Sequence, residues 1–184
     1  MFSMQTYIVV GAGILGASTA YHLAKAGASV IVVDRQDLGQ ATDAAAGIIC
    51  PWLSQRRNQA WYQLAKKMEQ KYYTSLIQQL EGDGETDTGY KQVGAISIHT
   101  EDEKLDKMEE RVHKRRQDSP EIGEVNRLST TETKALFPLL AEQYSSVHIS
   151  GAARVNGRAL RESLLNAARK TWSQHSSRKC KVSS

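Results

Sequence analysis

The sequence predicts an α/β fold, and three observations carry that prediction. The apolar run Tyr7-Ile8-Val9-Val10 leads straight into Gly11, Gly13 and Gly16, spaced G-x-G-x-x-G. Ile14, Ala17, Tyr21 and Ala24 then recur at helical spacing. A second apolar run, Val30 to Val33, follows and ends on an acid, Asp34, 18 residues after Gly16. Strand, glycine turn, helix and strand in that order make a βαβ unit with a parallel pair.

Each residue type in this unit answers a demand of a bound ADP group, so it reads as a dinucleotide-binding unit. Gly11 permits a tight turn, Gly13 lets the backbone approach a pyrophosphate, and Gly16 lets helix and strand pack closely. The helix N-terminus offers free N–H groups and a partial positive charge to phosphates. Asp34 is placed to accept hydrogen bonds from the ribose hydroxyls. Gly27 is placed to end the helix in a left-handed cap. Arg35 on its own would suggest a 2′-phosphate, but Asp34 beside it would repel one.

Past Asp34, residues 36–43 are rich in turn formers and read as a loop, followed by small and then apolar residues from Ala44 to Ile49. A long helix is predicted from Asn58 to Leu80, with Trp61, Leu64, Ala65, Met68, Tyr72 and Leu76 on one face. Glu81 to Gly89 is a turn segment, and Tyr90 to Ile98 is predicted as a strand opening a second region. Glu101 to Gln117 reads as a charged helix that buries only Leu105, Met108 and Val112. Ser129 to Leu136 reads as a short helix capped at Ser129 or Thr130, with Glu132 closing a capping box. Val147 to Val155 is predicted as a strand. Arg158 to Lys170 is predicted as an amphipathic helix with Leu160, Leu164, Leu165 and Ala168 inward.

Composition narrows the function classes. Of 184 residues, 40% are apolar and 24% charged, ordinary values for a globular chain. The apolar runs fall far short of the ~20 residues of a membrane span, and residues 1–6 lack the pattern of a secretory signal. A cytoplasmic location is therefore expected, with peripheral attachment to a membrane left open. The basic balance sits at the C-terminal end: from Arg154 onward eight Lys/Arg face one acid, Glu162. No aromatic residues interleave with a basic stripe, so no nucleic-acid partner is expected. Cys50 and Cys180 have neither metal-ligand nor disulfide spacing, and Cys50 is expected to be a small buried hydrophobe. The five histidines are scattered, and no metal site is expected.

The strings IVVGAGILGASTAYHLAKAGASVIVVDR, AAAGIICPW and GAARVNGRALRESLLNAARK together resemble the glycine/D-amino acid oxidase family. These are FAD-dependent oxidoreductases of the glutathione-reductase-like class, and the resemblance runs from about Tyr7 to Lys170. It implies FAD as cofactor. Gly11, Gly13 and Gly16 would hold the pyrophosphate, with Ile14 and Leu15 lining it. Asp34 would bind ribose, Arg35 would border the adenine, and Ala41 and Thr42 would touch the diphosphate or the flavin side. Ala46, Gly47 and Ile48 would flank the flavin ring, their small size letting backbone amides approach it. The chemistry implied is hydride transfer from the carbon next to an amine, giving an imine that water hydrolyses to an oxo acid. The cofactor carries the difficult step, so no local acid, base or nucleophile constellation is expected.

Family members run to roughly twice this length, and their carboxylate-binding Arg and Tyr residues fall in the part not matched. The last fifteen residues, KTWSQHSSRKCKVSS, lose apolar periodicity. With suitable synonymous codons, skipping one base after Lys170 yields LGANIHQGNAK, a helix end, Gly turn and alternating strand. Residues 171–184 are therefore expected to be an out-of-frame tail.

The reading is an incomplete Rossmann-like FAD-binding domain with the start of an α+β substrate domain. Residues 1–80 are assigned to the first, 81–156 to the second, and 157–170 to a helix returning to the first. The function expected is oxidative deamination of a small amine or D-amino acid. An inert fragment keeping only an ADP-binding unit, and an NAD-dependent dehydrogenase, are the alternatives.

Overall fold

The computed structural model describes residues 5–54, 59–175 and 182–183. β1 (Thr6–Val10) and β2 (Ser29–Val33) pair in parallel, Tyr7 opposite Val30 and Val9 opposite Val32. Between them α1 (Ile14–Lys25) buries Ala17, Ala20, Tyr21 and Ala24. Small residues on that stripe let the helix lie close to the sheet, where Val30 and Val32 are buried. Gly27 takes φ +83°, and the Gly27 and Ala28 amides donate to the Ala24 and Leu23 carbonyls, which closes the helix as expected.

The chain gathers into two compact units. The first comprises Met1–Gly47, Thr74–Tyr90 and Val155–Ser184, the second Ile48–Tyr73 and Lys91–Arg154. In the first, α6 (Gly157–His175) packs on α1 and buries Leu160, Leu164, Leu165 and Ala168, the four residues the periodicity turned inward. The helix extends past Lys170. Val182–Ser183 (β9) lie parallel to Val32–Val33, giving the order β1–β2–β9. Residues 176–181 and 184 of the expected tail lie outside the described residues.

The C-terminal end of α3 (Gln59–Gly82) adds Leu76, Ile77 and Leu80 to this core. The side chains of Trp61, Leu64, Ala65 and Met68 on the predicted face lie outside what the structure describes. Tyr21 Oη donates to Asp83 Oδ2 at 2.8 Å, and Lys25 pairs with Asp83 at 2.9 Å, tying α1 to the residue after α3. Among the described residues, none covers the other face of the sheet. Ile8 is 67% and Val10 84% exposed, although parallel strands are usually covered on both faces.

The second unit centres on an antiparallel sheet in the order β5–β7–β6, from β5 (Ala95–His99), β6 (Val125–Leu128) and β7 (Ser145–Ile149). α4 (Asp102–Asp118) lays Leu105, Met108 and Val112 into a core with Trp52, Ile122, Val147 and Ile149. α5 (Thr130–Leu136) starts at Ser129, whose hydroxyl accepts from the Glu132 amide while Glu132 accepts from the Ser129 amide. That reciprocity holds the Glu132 carboxyl below its ordinary range, through the Ser129 side chain first and its amide second.

Several elements differ from expectation. The predicted strand Tyr90–Ile98 is two strands, β4 (Tyr90–Gln92) and β5, in separate sheets. Gly94 at φ +73° breaks it, with the amides of Val93 and Gly94 both donating to the Ala152 carbonyl. Val147–Val155 likewise divides into β7 and β8 (Ala153–Val155). Gly151 sits at the break, where a Cβ would stand 1.9 Å from the Glu121 carbonyl oxygen. β6 was not foreseen, because its sequence VNRL has too few apolar residues to show period two. The loop 36–43 contains the start of a one-turn helix, α2 (Ala41–Ala44), and β3 (Ile48–Ile49) then pairs antiparallel with β8. Cys50 is half-buried rather than buried, resting against the Trp52 core.

Candidate functional site

The glycine turn is built by two contacts. Gly11 adopts φ +99°, a conformation that suits glycine, and its amide donates to the Val33 carbonyl at 2.7 Å. Gly16 lies against that turn, where an added Cβ would stand 1.8 Å from the Gly11 carbonyl oxygen. Gly13 differs, since it has φ −66° and a Cβ there would meet Thr42 Oγ1 at 3.4 Å, an ordinary contact. Its small size therefore serves whatever approaches from outside.

Beside this turn lies a cavity of about 640 Å³ lined by Val10, Gly11, Gly13, Val33, Asp34, Arg35, Asp37, Gln40, Ala41 and Thr42. Six residues chosen from the sequence thus meet at one opening: Gly11, Gly13, Asp34, Arg35, Ala41 and Thr42. Gly13, at the amino end of α1, is part of this lining. The helix ladder begins with the Ala17 amide on the Gly13 carbonyl, which leaves the amides of Gly13, Leu15 and Gly16 outside it. The Ile14 amide donates to Thr42 Oγ1 at 3.0 Å.

Asp34 ends β2 at the rim. Its Oδ2 accepts from the Ala12 amide at 2.5 Å, and its Oδ1 from the Gln36 amide at 2.6 Å and from Gln40 Nε2 at 3.4 Å. The Ala12 and Gln36 amides, in that order, hold its carboxyl below the ordinary 3.8; Arg161 and Gln40 add to this while burial opposes it. Gln36, at φ +57°, is the one non-glycine residue with positive φ among the described residues. Such backbone persists where neighbours over-determine it, and here the Asp34 carboxylate is the neighbour.

The remaining chosen residues stand elsewhere. Ile14 is half-buried in the first turn of α1, and Leu15 is 79% exposed. Arg35, which does line the cavity, is exposed and pairs with Asp37 at 2.6 Å. Ala46, Gly47 and Ile48 do not line the cavity. Gly47, at φ +67°, presses on β8, where a Cβ would stand 1.9 Å from the Val155 carbonyl oxygen, so packing alone accounts for glycine there. Ile48 is 73% exposed and lines a second opening of about 380 Å³ with Cys50, Leu53 and Arg154.

Three residues escaped the sequence reading: Gln40, Asp43 and Arg161. Arg161 Nη1 donates to Gln40 Oε1 at 3.1 Å and Asp43 Oδ1 at 2.9 Å. No spacing rule links residues some 120 positions apart, and only the packed helix shows the link.

The donor set suits the ADP half of a dinucleotide: free amides for phosphate, a carboxylate for ribose hydroxyls and an apolar-walled opening. Comparison with known proteins agrees. The family model described as FAD dependent oxidoreductase (DAO) matches residues 6–171. The uncharacterized oxidoreductase YurR of Bacillus subtilis (strain 168) is 74% identical over 167 residues, covering 91% of this chain and 45% of YurR. A glycine oxidase of Pseudomonas aeruginosa is 32% identical over 162 residues, covering 87% of this chain and 42% of that protein. The crystal structure of iminodiacetate oxidase from Chelativorans sp. BNC1 superposes with a TM-score of 0.85 at 43% identity, covering 91% of this chain and 45% of that one. The chain spans less than half the length of these relatives.

Proposed function

The chain belongs to the DAO family of FAD-dependent oxidoreductases, and on that premise we propose that the opening at the amino end of α1 holds the ADP half of FAD. The observation carrying this is the glycine turn itself. Gly16 seated on the Gly11 carbonyl brings the first turn of α1 within reach of the opening while Asp34 waits at its rim. The amides of Gly13, Leu15 and Gly16 would receive the diphosphate, with the Thr42 hydroxyl beside them. Asp34, ionised throughout the neutral range, would accept the ribose hydroxyls. Arg35 would border the adenine, and Ala46 to Ile48 would flank the ring.

Bound FAD supplies a hydride acceptor for oxidation at a carbon next to nitrogen. We read the substrate as a small amine or amino acid, in keeping with relatives named for glycine and for iminodiacetate. The chain's own contribution is to orient the cofactor. Among the described residues no helix is long and apolar enough to cross a membrane.

A second reading, a nucleotide-binding unit without flavin chemistry, draws support from one observation: Ala46, Gly47 and Ile48, expected to flank the flavin ring, do not line the cavity. Titrating the chain with FAD, ADP and riboflavin separates the two. FAD binding that ADP displaces, with a shifted flavin absorbance band and no riboflavin binding, supports the flavoprotein reading. ADP binding without any spectral change for FAD favours the second. A chain that takes up neither nucleotide refutes both.

A further inference from the structure

The segment from Gln36 to Ala44 supplies Gln40, Ala41 and Thr42 to the cavity, yet its own regular structure is a single turn. Something else must hold it, and α6 does. Gly157 presses on α2, where a Cβ would stand 2.7 Å from the Thr42 carbonyl oxygen. Leu160 and Leu164 anchor α6 in the core. Between them Arg161, its side chain only 17% exposed, reaches Gln40 Oε1 and Asp43 Oδ1 with one nitrogen. Its remaining nitrogens engage Glu162, and Arg158 adds a longer contact to Asp43 at 3.6 Å.

The grip on Gln40 has a direction. An amide that accepts through Oε1 must turn Nε2 the other way, and here Nε2 faces Asp34 Oδ1. One guanidinium therefore sets two groups: Gln40, which lines the opening and donates to Asp34, and Asp43, next in sequence to Thr42. A fork of fixed donors does this better than an ammonium, which is a single point charge.

We propose that Arg161 is a positioning residue for cofactor binding, holding Gln40 and Asp43 so that Thr42 and Asp34 present the ADP-accepting arrangement. The proposal rests on the reading of the cavity given above. A brace serving only stability would cost the folded protein no ADP affinity and would leave the Ala12 and Ile14 amides undisturbed.

The test uses this chain with ADP as probe, in the parent and in Arg161→Gln, Arg161→Lys and Gln40→Leu. Affinity is read by calorimetry, and the Ala12 and Ile14 amides by ¹⁵N NMR without nucleotide. Arg161→Gln should weaken ADP about tenfold, the scale of one charge-assisted hydrogen bond, and should move both resonances. Arg161→Lys should recover part of that loss. Gln40→Leu, at a half-buried position of a largely exposed loop, tests the same link from its other end should the Arg161 variants fail to fold. It should weaken ADP alone and add less in the Arg161→Gln background than in the parent. ADP affinity within twofold of the parent in both single variants, or unmoved amide resonances, overturns the proposal. A parent chain that does not bind ADP refutes the cavity reading and the proposal with it. If that parent binds no ADP and the resonances nonetheless move in the variants, the reading of the cavity has failed while the contact of Arg161 with the loop has held.

Discussion

Replacing Gly16 by alanine puts a methyl group 1.8 Å from the Gly11 carbonyl oxygen and 2.9 Å from its carbon. Both are backbone atoms, so no side chain can rotate away. Restoring an ordinary 3.4 Å contact demands about 1.6 Å of movement. α1 cannot retreat that far without opening a gap under Ala17, Ala20 and Tyr21, all fully buried. If the peptide carrying the Gly11 carbonyl rotates instead, it gives up the 2.5 Å bond from its own N–H, that of Ala12, to Asp34 Oδ2. Overpacking of this kind costs about 1–3 kcal/mol, and a lost hydrogen bond about 1 kcal/mol. The better helix propensity of alanine returns up to about 1 kcal/mol. The net loss is about 1–3 kcal/mol, a large part of a typical domain's stability.

Urea unfolding followed by far-UV circular dichroism should show the midpoint fall by about 1 M at unchanged slope. Gly13→Ala is the control within the same motif. Its methyl meets only Thr42 Oγ1 at 3.4 Å, so the midpoint should hold while ADP affinity falls. Equal midpoints for Gly16→Ala and the parent would refute the steric reasoning. So would a loss of stability at Gly13 matching that at Gly16.

Two further outcomes follow from the same geometry. Because the Asp34 carboxyl is held below 3.8, its stabilising contribution is complete above that pH and is lost as pH falls through its lower native value. The stability gap between the parent and Asp34→Asn should therefore be flat above about pH 4 and close below it. A gap that stays constant down to pH 2 in urea titrations would contradict this. Leu164→Ala, at a fully buried position of α6, should cost about 2–5 kcal/mol by cavity formation. A measured loss under 1 kcal/mol would show that α6 does not close this core.

The βαβ unit was legible because its demands are local. Gly11, Gly16, Gly27 and Asp34 each answer a conformation or contact set within about thirty residues, and the structure gives each a measurable one. The capping box at Ser129 and Glu132 was legible for the same reason, as were the buried faces of α4 and α6, whose period is written in consecutive turns. The strands of the second unit were less so. Gly94 and Gly151 interrupt apolar runs that look continuous, and each break is dictated by a carbonyl of a distant segment. β6 carries no alternation to read.

What the sequence determined by itself was therefore the amino end of α1, the acid that follows β2 and the kind of group they suit, since those follow from short-range sterics and charge. Tertiary structure decided which other residues join them. Gln40, Asp43 and Arg161 meet only because α6 packs on α1, and Gly47 is explained by the Val155 carbonyl pressing on it. Such contacts depend on where separate elements come to rest, and no residue pattern along the chain encodes that position.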